Sequence, residues 1–215
     1  MDEAISVAKE LKDTHALALA LGWAARQAFM ERNPAEVDRL ASELIELSTR
    51  HNFVYWLASR AIWRGWARSA SGDTTECIPW IEQGIRDFRA TGTTPIMPFW
   101  LALQAEALHL ANRTSEALEA IREAEGFVEK FEVLWWSVEL HRLRAVFLAT
   151  MGADESKIEA SFCAAIRTAK QQKSVSLQKR AEETYAEYRR QIASGSQGRG
   201  PTTALVSSRS APPNR

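Results

Sequence analysis

Small residues recur every 40 positions along the chain, each inside a run of apolar residues at helical spacing. They are Ala25, Gly65, Ala105 and Ala145. Seven residues after each of them the amphipathic pattern breaks. Self-similarity at a period of this size is typical of stacked supersecondary units, so the pattern predicts a repeat protein.

Each period contains two amphipathic segments, which predict an antiparallel pair of helices. The first helices are predicted at about Thr14–Glu31, Phe53–Ser71, Pro95–Ala111 and Val133–Thr150. Their partners are predicted at about Pro34–His51, Thr74–Ala90, Ser115–Glu129 and Glu155–Gln171. Flanking helices are predicted over Met1–Leu11 and Val175–Ile192. No segment alternates with period two, so the predicted class is all-α.

Several local signals mark where these helices begin and end. Pro34 in "NPAE" is expected at a helix start, and Gly92 in "ATGTTP" is expected as a left-handed cap. The segments "SGDTTE" and "NRTSE" predict Asp, Thr or Ser caps. Pro79 falls about one turn into its predicted helix, where a kink is expected.

Gly65 lies in the middle of a predicted helix, where glycine costs about 1 kcal/mol relative to alanine. Its place in a column of small residues predicts that two helices of one pair approach closely there. A second column contains large apolar residues that are expected to pack between neighbouring pairs. Its members are Trp23, Trp63, Leu103 and Leu143.

The composition divides the chain into a helical domain over residues 1–193 and a tail. From Ser194 to Arg215 the sequence is rich in Ser, Gly, Pro and Arg. Such a segment cannot bury enough apolar surface to offset its ordering entropy, so residues 194–215 are expected to be disordered.

The repeated spacing resembles the tetratricopeptide pattern, lengthened from 34 to 40 residues. The pattern consists of a small residue, a turn residue seven positions later, then a Glu and an apolar residue, then another small residue. "NRTSEALEAIREA" over Asn112–Ala124 matches it best. The resemblance implies a right-handed superhelical solenoid of antiparallel helix pairs.

The chain more specifically resembles the C-terminal helical-repeat region of large bacterial proteins that carry an adenylate/guanylate cyclase domain or a predicted ATPase domain. The likeness covers about Asp13–Arg190. Its clearest segments are Trp56–Gly92, Pro98–Leu108, Val138–Ala149 and Ala165–Ala181. The sequence has no G-x-x-x-x-G-K-[ST] loop and no Asp-rich cyclase metal site. The resemblance therefore implies a regulatory or sensor module rather than the enzymatic part.

Composition and charge are those of an ordinary globular protein. Hydrophobic residues make up 46% of the chain, and 27 basic residues balance 27 acidic ones. A net charge of zero argues against nucleic acid as a partner. The N-terminus lacks a secretory signal, and no apolar run is long enough to span a membrane. Cys77 and Cys163 are predicted to be reduced, buried thiols of a cytoplasmic protein.

Residues with catalytic or metal-binding chemistry are scattered. His15, His51, His109 and His141 are isolated in sequence and show no metal-ligand spacing. Cys163 falls on the apparent apolar face of "SFCAAI", where an inert core thiol is expected. We therefore predict no catalytic residues, no metal and no cofactor.

A row of three arginines runs along one predicted helix at spacings of four, beside Trp56 and Trp63. The row consists of Arg60, Arg64 and Arg68. It could bind an anion or an acidic peptide, since guanidinium groups pair with carboxylates and stack on aromatic rings. The alternative is a solvated stripe whose aliphatic stems cover the tryptophans.

Helical repeats usually bind partners on the concave face that their first helices line. In this register that face is predicted to contain Arg26, Trp66, Glu106, His109 and Arg142. Trp66 and Arg142 are the preferred contact residues because aromatic and Arg side chains dominate binding hot spots. The alternative for Trp66 is packing between neighbouring helix pairs.

Two functions follow as hypotheses. The first is a non-catalytic module that binds a protein or peptide, as the regulatory part of a bacterial signalling ATPase or cyclase-type system. The second is a sensor of small molecules or nucleotides, with the Trp/Arg cluster as its pocket. Apolar residues at the terminal helices could also support a homodimer.

Overall fold

A computed structural model describes residues 2–74 and 76–194, and every regular element within those ranges is helical. The all-α prediction is confirmed for this part of the chain. The helices divide into two compact units, with the boundary between Thr93 and Thr94. The predicted disordered tail, apart from Ser194, lies outside the described residues.

Among its described residues the first unit contains five helices, and each helix packs against the next one along the chain. They are α1 (Asp2–Glu10), α2 (Thr14–Met30), α3 (Pro34–His51), α4 (Val54–Ala70) and α5 (Cys77–Ala90). In addition, α2 contacts α4. The predicted bounds of α3 are correct at both ends, whereas α5 begins three residues after the predicted Thr74.

The described part of the second unit, residues 94–194, contains five α-helices and one short 3-10 helix. They are α6 (Met97–Leu110), α7 (Thr114–Phe131), the 3-10 helix (Leu134–Trp136), α8 (Ser137–Thr150), α9 (Glu155–Gln171) and α10 (Val175–Ala193). Consecutive α-helices contact each other, and α8 also contacts α6 and α10. The predicted bounds of α9 are correct, and the predicted start of α8 at Val133 includes the 3-10 turn.

A left-handed residue ends almost every helix, and these residues recur at intervals of 20 until the last interval of 21. They are Lys12, Arg32, Asn52, Gly72, Gly92, Asn112, Glu132, Gly152 and Lys173. At most of these turns the next amide bonds to the carbonyl five residues back, as from Asn33 to Ala28 at 3.0 Å. This geometry gives a hydrogen-bond donor to carbonyl groups that have no partner within the helix. The predicted break positions and the Gly92 cap are therefore confirmed.

Gly65 lies at a close contact between α4 and α5. A Cβ atom built on Gly65 would lie 2.5 Å from Ile81 Cγ1 and 3.1 Å from the Cys77 carbonyl oxygen. On the opposite helix, a Cβ on Gly84 would lie 2.7 Å from Ile62 Cγ1. The two glycines thus allow a contact that any larger residue would obstruct, and the prediction for Gly65 is confirmed.

Three local predictions are wrong. Neither α5 nor α7 has a side-chain cap, and Asp73 of "SGDTTE" instead pairs with Arg68 at 2.6 Å. Pro79 is the third residue of α5, in the first turn, where no intrahelical amide bond is lost. Cys163 is exposed, because α9 buries Ile158, Phe162, Ala165 and Ala169 and Cys163 lies one residue off that stripe. Cys77 is buried as predicted, and burial raises the pKa of its thiol.

Candidate functional site

Four of the five residues predicted for the concave face are buried. Trp66 and Glu106 are each 1% exposed, Arg142 is fully buried and His109 is also buried. Only Arg26 remains half-buried. The prediction that these side chains line an open binding surface is therefore wrong for all but Arg26.

Trp66 is enclosed by aromatic neighbours within the first unit. The ring of Phe29 on α2 lies 4.7 Å from the ring of Trp66 in an edge-on arrangement, and 6.4 Å from that of Trp63. The guanidinium of Arg32 lies 5.9 Å from the same Trp66 ring. Packing between neighbouring helix pairs, the alternative given for Trp66, agrees with these contacts.

Arg142 belongs to a buried network of charges in the second unit. Its Nε and Nη2 atoms donate to the two carboxylate oxygens of Glu139 at 3.0 and 2.6 Å. Arg180 on α10 lies 3.3 Å from Glu139, and all three side chains are at most 1% exposed. Burial lowers the pKa of Arg142, but the charges of Glu139 and Glu106 and the Glu139 hydrogen bonds raise it above its usual value. The network joins α6, α8 and α10 through charge.

His109 is a buried residue of α6. Its Nδ1 atom lies 3.1 Å from Thr114 Oγ1, and its ring lies 4.8 Å from that of Phe147 on α8. Burial lowers the pKa of His109 to about 4, so the imidazole is neutral at pH 7. A neutral, enclosed imidazole of this kind packs α6 against α7 and α8.

We expect the stability of the protein to fall as His109 is forced to take up a proton. In the unfolded chain the pKa of His109 is near 6.5, so below that pH the unfolded state binds more protons than the folded state. The stabilisation is therefore fully present above pH 6.5 and is lost as the pH falls towards 4. Between pH 7 and pH 5 the loss amounts to about 2 kcal/mol. Urea unfolding of the wild type and of His109→Gln at both pH values measures it. An equal pH dependence of stability in the two proteins would contradict this prediction. His51→Gln, at an exposed histidine, serves as the control.

The three arginines of the predicted anion stripe do not converge on one site. Arg64 pairs with Asp38 at 3.3 Å, and Arg68 pairs with Asp73 at 2.6 Å. Arg68 also lies 5.0 Å above the ring of Trp80. The shallow depression around Arg68 contains no tryptophan. Two of the three charges are thus neutralised within the first unit, and Arg60 is exposed.

A patch on α2 contains Arg26, the one residue predicted for the concave face that is not buried. We define the α2 patch as Leu19, Trp23, Arg26 and Met30, which follow one another at helical spacings of four, three and four. Leu19 and Trp23 are 52% and 50% exposed. The Arg26 guanidinium lies 4.8 Å from the Trp23 ring centroid, and burial lowers its pKa. A depression of about 290 Å³ adjoins Trp23, Arg26 and Met30.

Trp23 was expected to pack between neighbouring pairs, and its half-exposure corrects that expectation. In the same column Trp63, Leu103 and Leu143 are buried as predicted. Phe29 of α2 lies beside the ring of Trp63. The nine-residue helix α1 contacts α2 but leaves Trp23 half exposed.

The described residues contain neither a cluster of metal ligands nor a membrane-spanning helix. Within residues 2–74 and 76–194, no group of three or more His, Cys, Asp or Glu side chains is arranged to hold a metal ion. None of the helices in those ranges is both long and apolar enough to cross a lipid bilayer.

Comparison with known proteins gives one distant relative. The chain is 24% identical over 183 residues to "Uncharacterized protein R02095" of Rhizobium meliloti (strain 1021). The matched region covers 85% of this chain and 18% of that protein, so the chain spans about a fifth of its relative's length. No family model matches the chain, and no solved structure matches it.

Proposed function

We propose that the chain is a non-catalytic recognition module that binds an amphipathic helix of a protein partner through the α2 patch. The observation that carries the proposal is the contact of the half-exposed Trp23 with the half-buried Arg26, which lies between two exposed or half-exposed apolar residues. Trp and Arg dominate protein interfaces, and an aromatic anchor surrounded by apolar side chains is the usual centre of such a contact.

The internal repeat indicates what kind of partner fits the α2 patch. Forty residues after Leu19, Trp23 and Arg26, the equivalent residues of α4 are Ser59, Trp63 and Trp66, and all three are buried. There α2 lies against α4 and presents Phe29 to the two tryptophans. A partner helix with an apolar or aromatic stripe would reproduce this contact on α2 itself. Arg26, at the position of Trp66, would favour an acidic residue on that helix.

The repeat pattern supports two wider proposals. We infer that the helix pairs form a right-handed, tetratricopeptide-like superhelix, since small residues and left-handed turns recur at fixed intervals. We also infer that the module is the regulatory part of a bacterial signalling ATPase or cyclase-type system. The resemblance to the repeat regions of such proteins supports this role.

Photo-cross-linking from the α2 patch tests the binding proposal. We would place p-benzoylphenylalanine at position 23 in cells of the source organism and map the cross-linked peptide by mass spectrometry. Position 80 is the matched control, because Trp80 is also exposed and also lies under an arginine. We expect position 23 to cross-link to an amphipathic helix of one protein, and position 80 to give little product.

Binding of a synthetic peptide with that helix sequence then measures the contribution of each side chain. We expect Trp23→Ala and Arg26→Glu each to weaken the affinity more than tenfold, as removal of a hot-spot residue does. Trp80→Ala should change it less than twofold. Equal cross-linking from positions 23 and 80 would contradict the proposal. Cross-links to a second copy of the chain alone would instead make the patch a dimer interface.

A further inference from the structure

A cavity in the second unit lies on the side of α8 that faces α7 and α9. Its volume is about 610 Å³, within the range of small-molecule sites. Val128, Leu134 and Leu140 form its apolar part. The cavity shares no residue with the α2 patch or with the predicted Trp/Arg pocket.

One face of α8 supplies polar groups to this cavity. Ser137, His141 and Arg144 follow at spacings of four and three, so they lie along the same side of the helix. The imidazole of His141 makes no hydrogen bond with any described residue, although it is half-buried. Burial lowers its pKa, as do Arg144 and Arg167, while Glu125 raises it. At neutral pH the ring therefore offers one donor and one acceptor.

The two charged side chains Arg144 and Glu125 compensate each other inside the cavity. Arg144 Nη1 donates to Glu125 Oε2 at 2.7 Å, and both residues line the space. A second carboxylate, Glu129, lies at the exposed rim. An anionic ligand would meet these carboxylates, whereas a cationic ligand would compete with Arg144 for Glu125. Either charged ligand would lose its hydration and find no free counter-charge inside the cavity, so its binding would cost free energy.

The wall opposite His141 adds amide and hydroxyl groups. Gln172 Nε2 donates to the Leu134 carbonyl oxygen at 2.6 Å, which joins the end of α9 to the 3-10 helix. Thr168 and Gln171 also line the cavity from α9. Neutral hydrogen-bonding side chains beside an apolar surface suit a ligand with an apolar body and an uncharged polar group.

We propose that this cavity binds an uncharged organic molecule of metabolite size, with an apolar ring and a polar group that hydrogen-bonds to His141. The site binds its ligand without reacting with it. Ser137 Oγ makes no hydrogen bond with any described residue, so His141 does not hold it as a general base holds a nucleophile.

Three probes of equal shape and different charge test this proposal. We would titrate benzamide, benzoate and benzamidinium into the 15N-labelled protein and follow its backbone amide signals by NMR. We expect benzamide to shift signals of α7, α8 and α9 around the cavity. Its dissociation constant should be at least fivefold lower than those of the two charged probes. Shifts centred elsewhere, or equal affinities for the three probes, would overturn the proposal.

Variants of the cavity wall test the role of His141. We expect His141→Phe, which keeps a ring but removes both nitrogens, to weaken benzamide binding at least fivefold. His51→Phe in the first unit is the control and should leave the affinity unchanged. If His141→Phe does not give a folded spectrum, Thr168→Val and Gln171→Ala test the opposite wall, and each should weaken binding at least twofold. Unchanged affinity in the folded variants would overturn the proposal.

Discussion

Replacing Arg142 with methionine is expected to lower the free energy of unfolding by about 3–5 kcal/mol. The substitution keeps most of the apolar stem but removes the guanidinium that holds both carboxylate oxygens of Glu139. Glu139 is 1% exposed, so its charge would stay in the interior without its closest counter-ion. Removing one partner of a buried ion pair costs far more than the pair itself contributes. Urea unfolding followed by circular dichroism measures the change.

Glu36 and Arg39 provide a control with the same spacing and geometry on the surface. Arg39 donates to the two oxygens of Glu36 at 2.8 and 2.6 Å, three residues along α3. Because this pair is solvated, Arg39→Met should cost no more than about 0.5 kcal/mol. Similar losses for Arg142→Met and Arg39→Met would contradict the structural role of the buried network.

Replacing Gly65 with leucine is expected to cost about 3 kcal/mol, the upper end of the usual range for overpacking. A Cβ at this position would lie 2.5 Å from Ile81 Cγ1 and 3.1 Å from the Cys77 carbonyl oxygen. Ile81 Cγ1 is close to the backbone of α5, so it cannot move aside as the end of a long side chain can. The two helices must therefore separate, and the core residues around Ile81 lose contacts.

Gly126 tests whether the effect arises from packing rather than from helix propensity. It lies inside α7, and a Cβ there would have no atom within 4 Å. Gly126→Ala should raise the stability by about 1 kcal/mol. Gly65→Ala should lower the stability. The double variant, with both Gly65→Ala and Ile81→Ala, should lose less stability than the two single variants lose in sum. A stabilising Gly65→Ala would contradict the close approach of α4 and α5.

The period of the sequence predicted most of the helices but not what covers each of them. The spacing of apolar and turn residues identified α3 and α9 to the residue. The same register placed Trp66 and Arg142 on the inner side of the first helices of their pairs. It could not show that Phe29 encloses Trp66, because that burial depends on ring sizes across α2 and α4.

Polar residues in the interior were the hardest to predict. Glu139 and Arg142 have the same spacing of three as the solvated pair Glu36 and Arg39, and their burial depends on α6 and α10. The cavity beside His141 was also beyond sequence reasoning, since α7, α8 and α9 each supply part of its wall. Side chains from separate helices meet through tertiary packing, which no local pattern records.

The separation between interior tryptophans and the exposed α2 patch can be tested with 19F NMR. We would label the eight tryptophans with 5-fluorotryptophan, assign the signals by Trp→Phe substitution, and compare spectra in H2O and D2O. Between H2O and D2O we expect a large change in the 19F chemical shift of Trp23, which is 50% exposed, and none for Trp66, which is 1% exposed. Adding the helix identified by cross-linking should move the Trp23 signal and leave those of Trp66 and Trp80 in place. A solvent-exposed Trp66, or a partner that moves Trp66 without Trp23, would contradict recognition through the α2 patch.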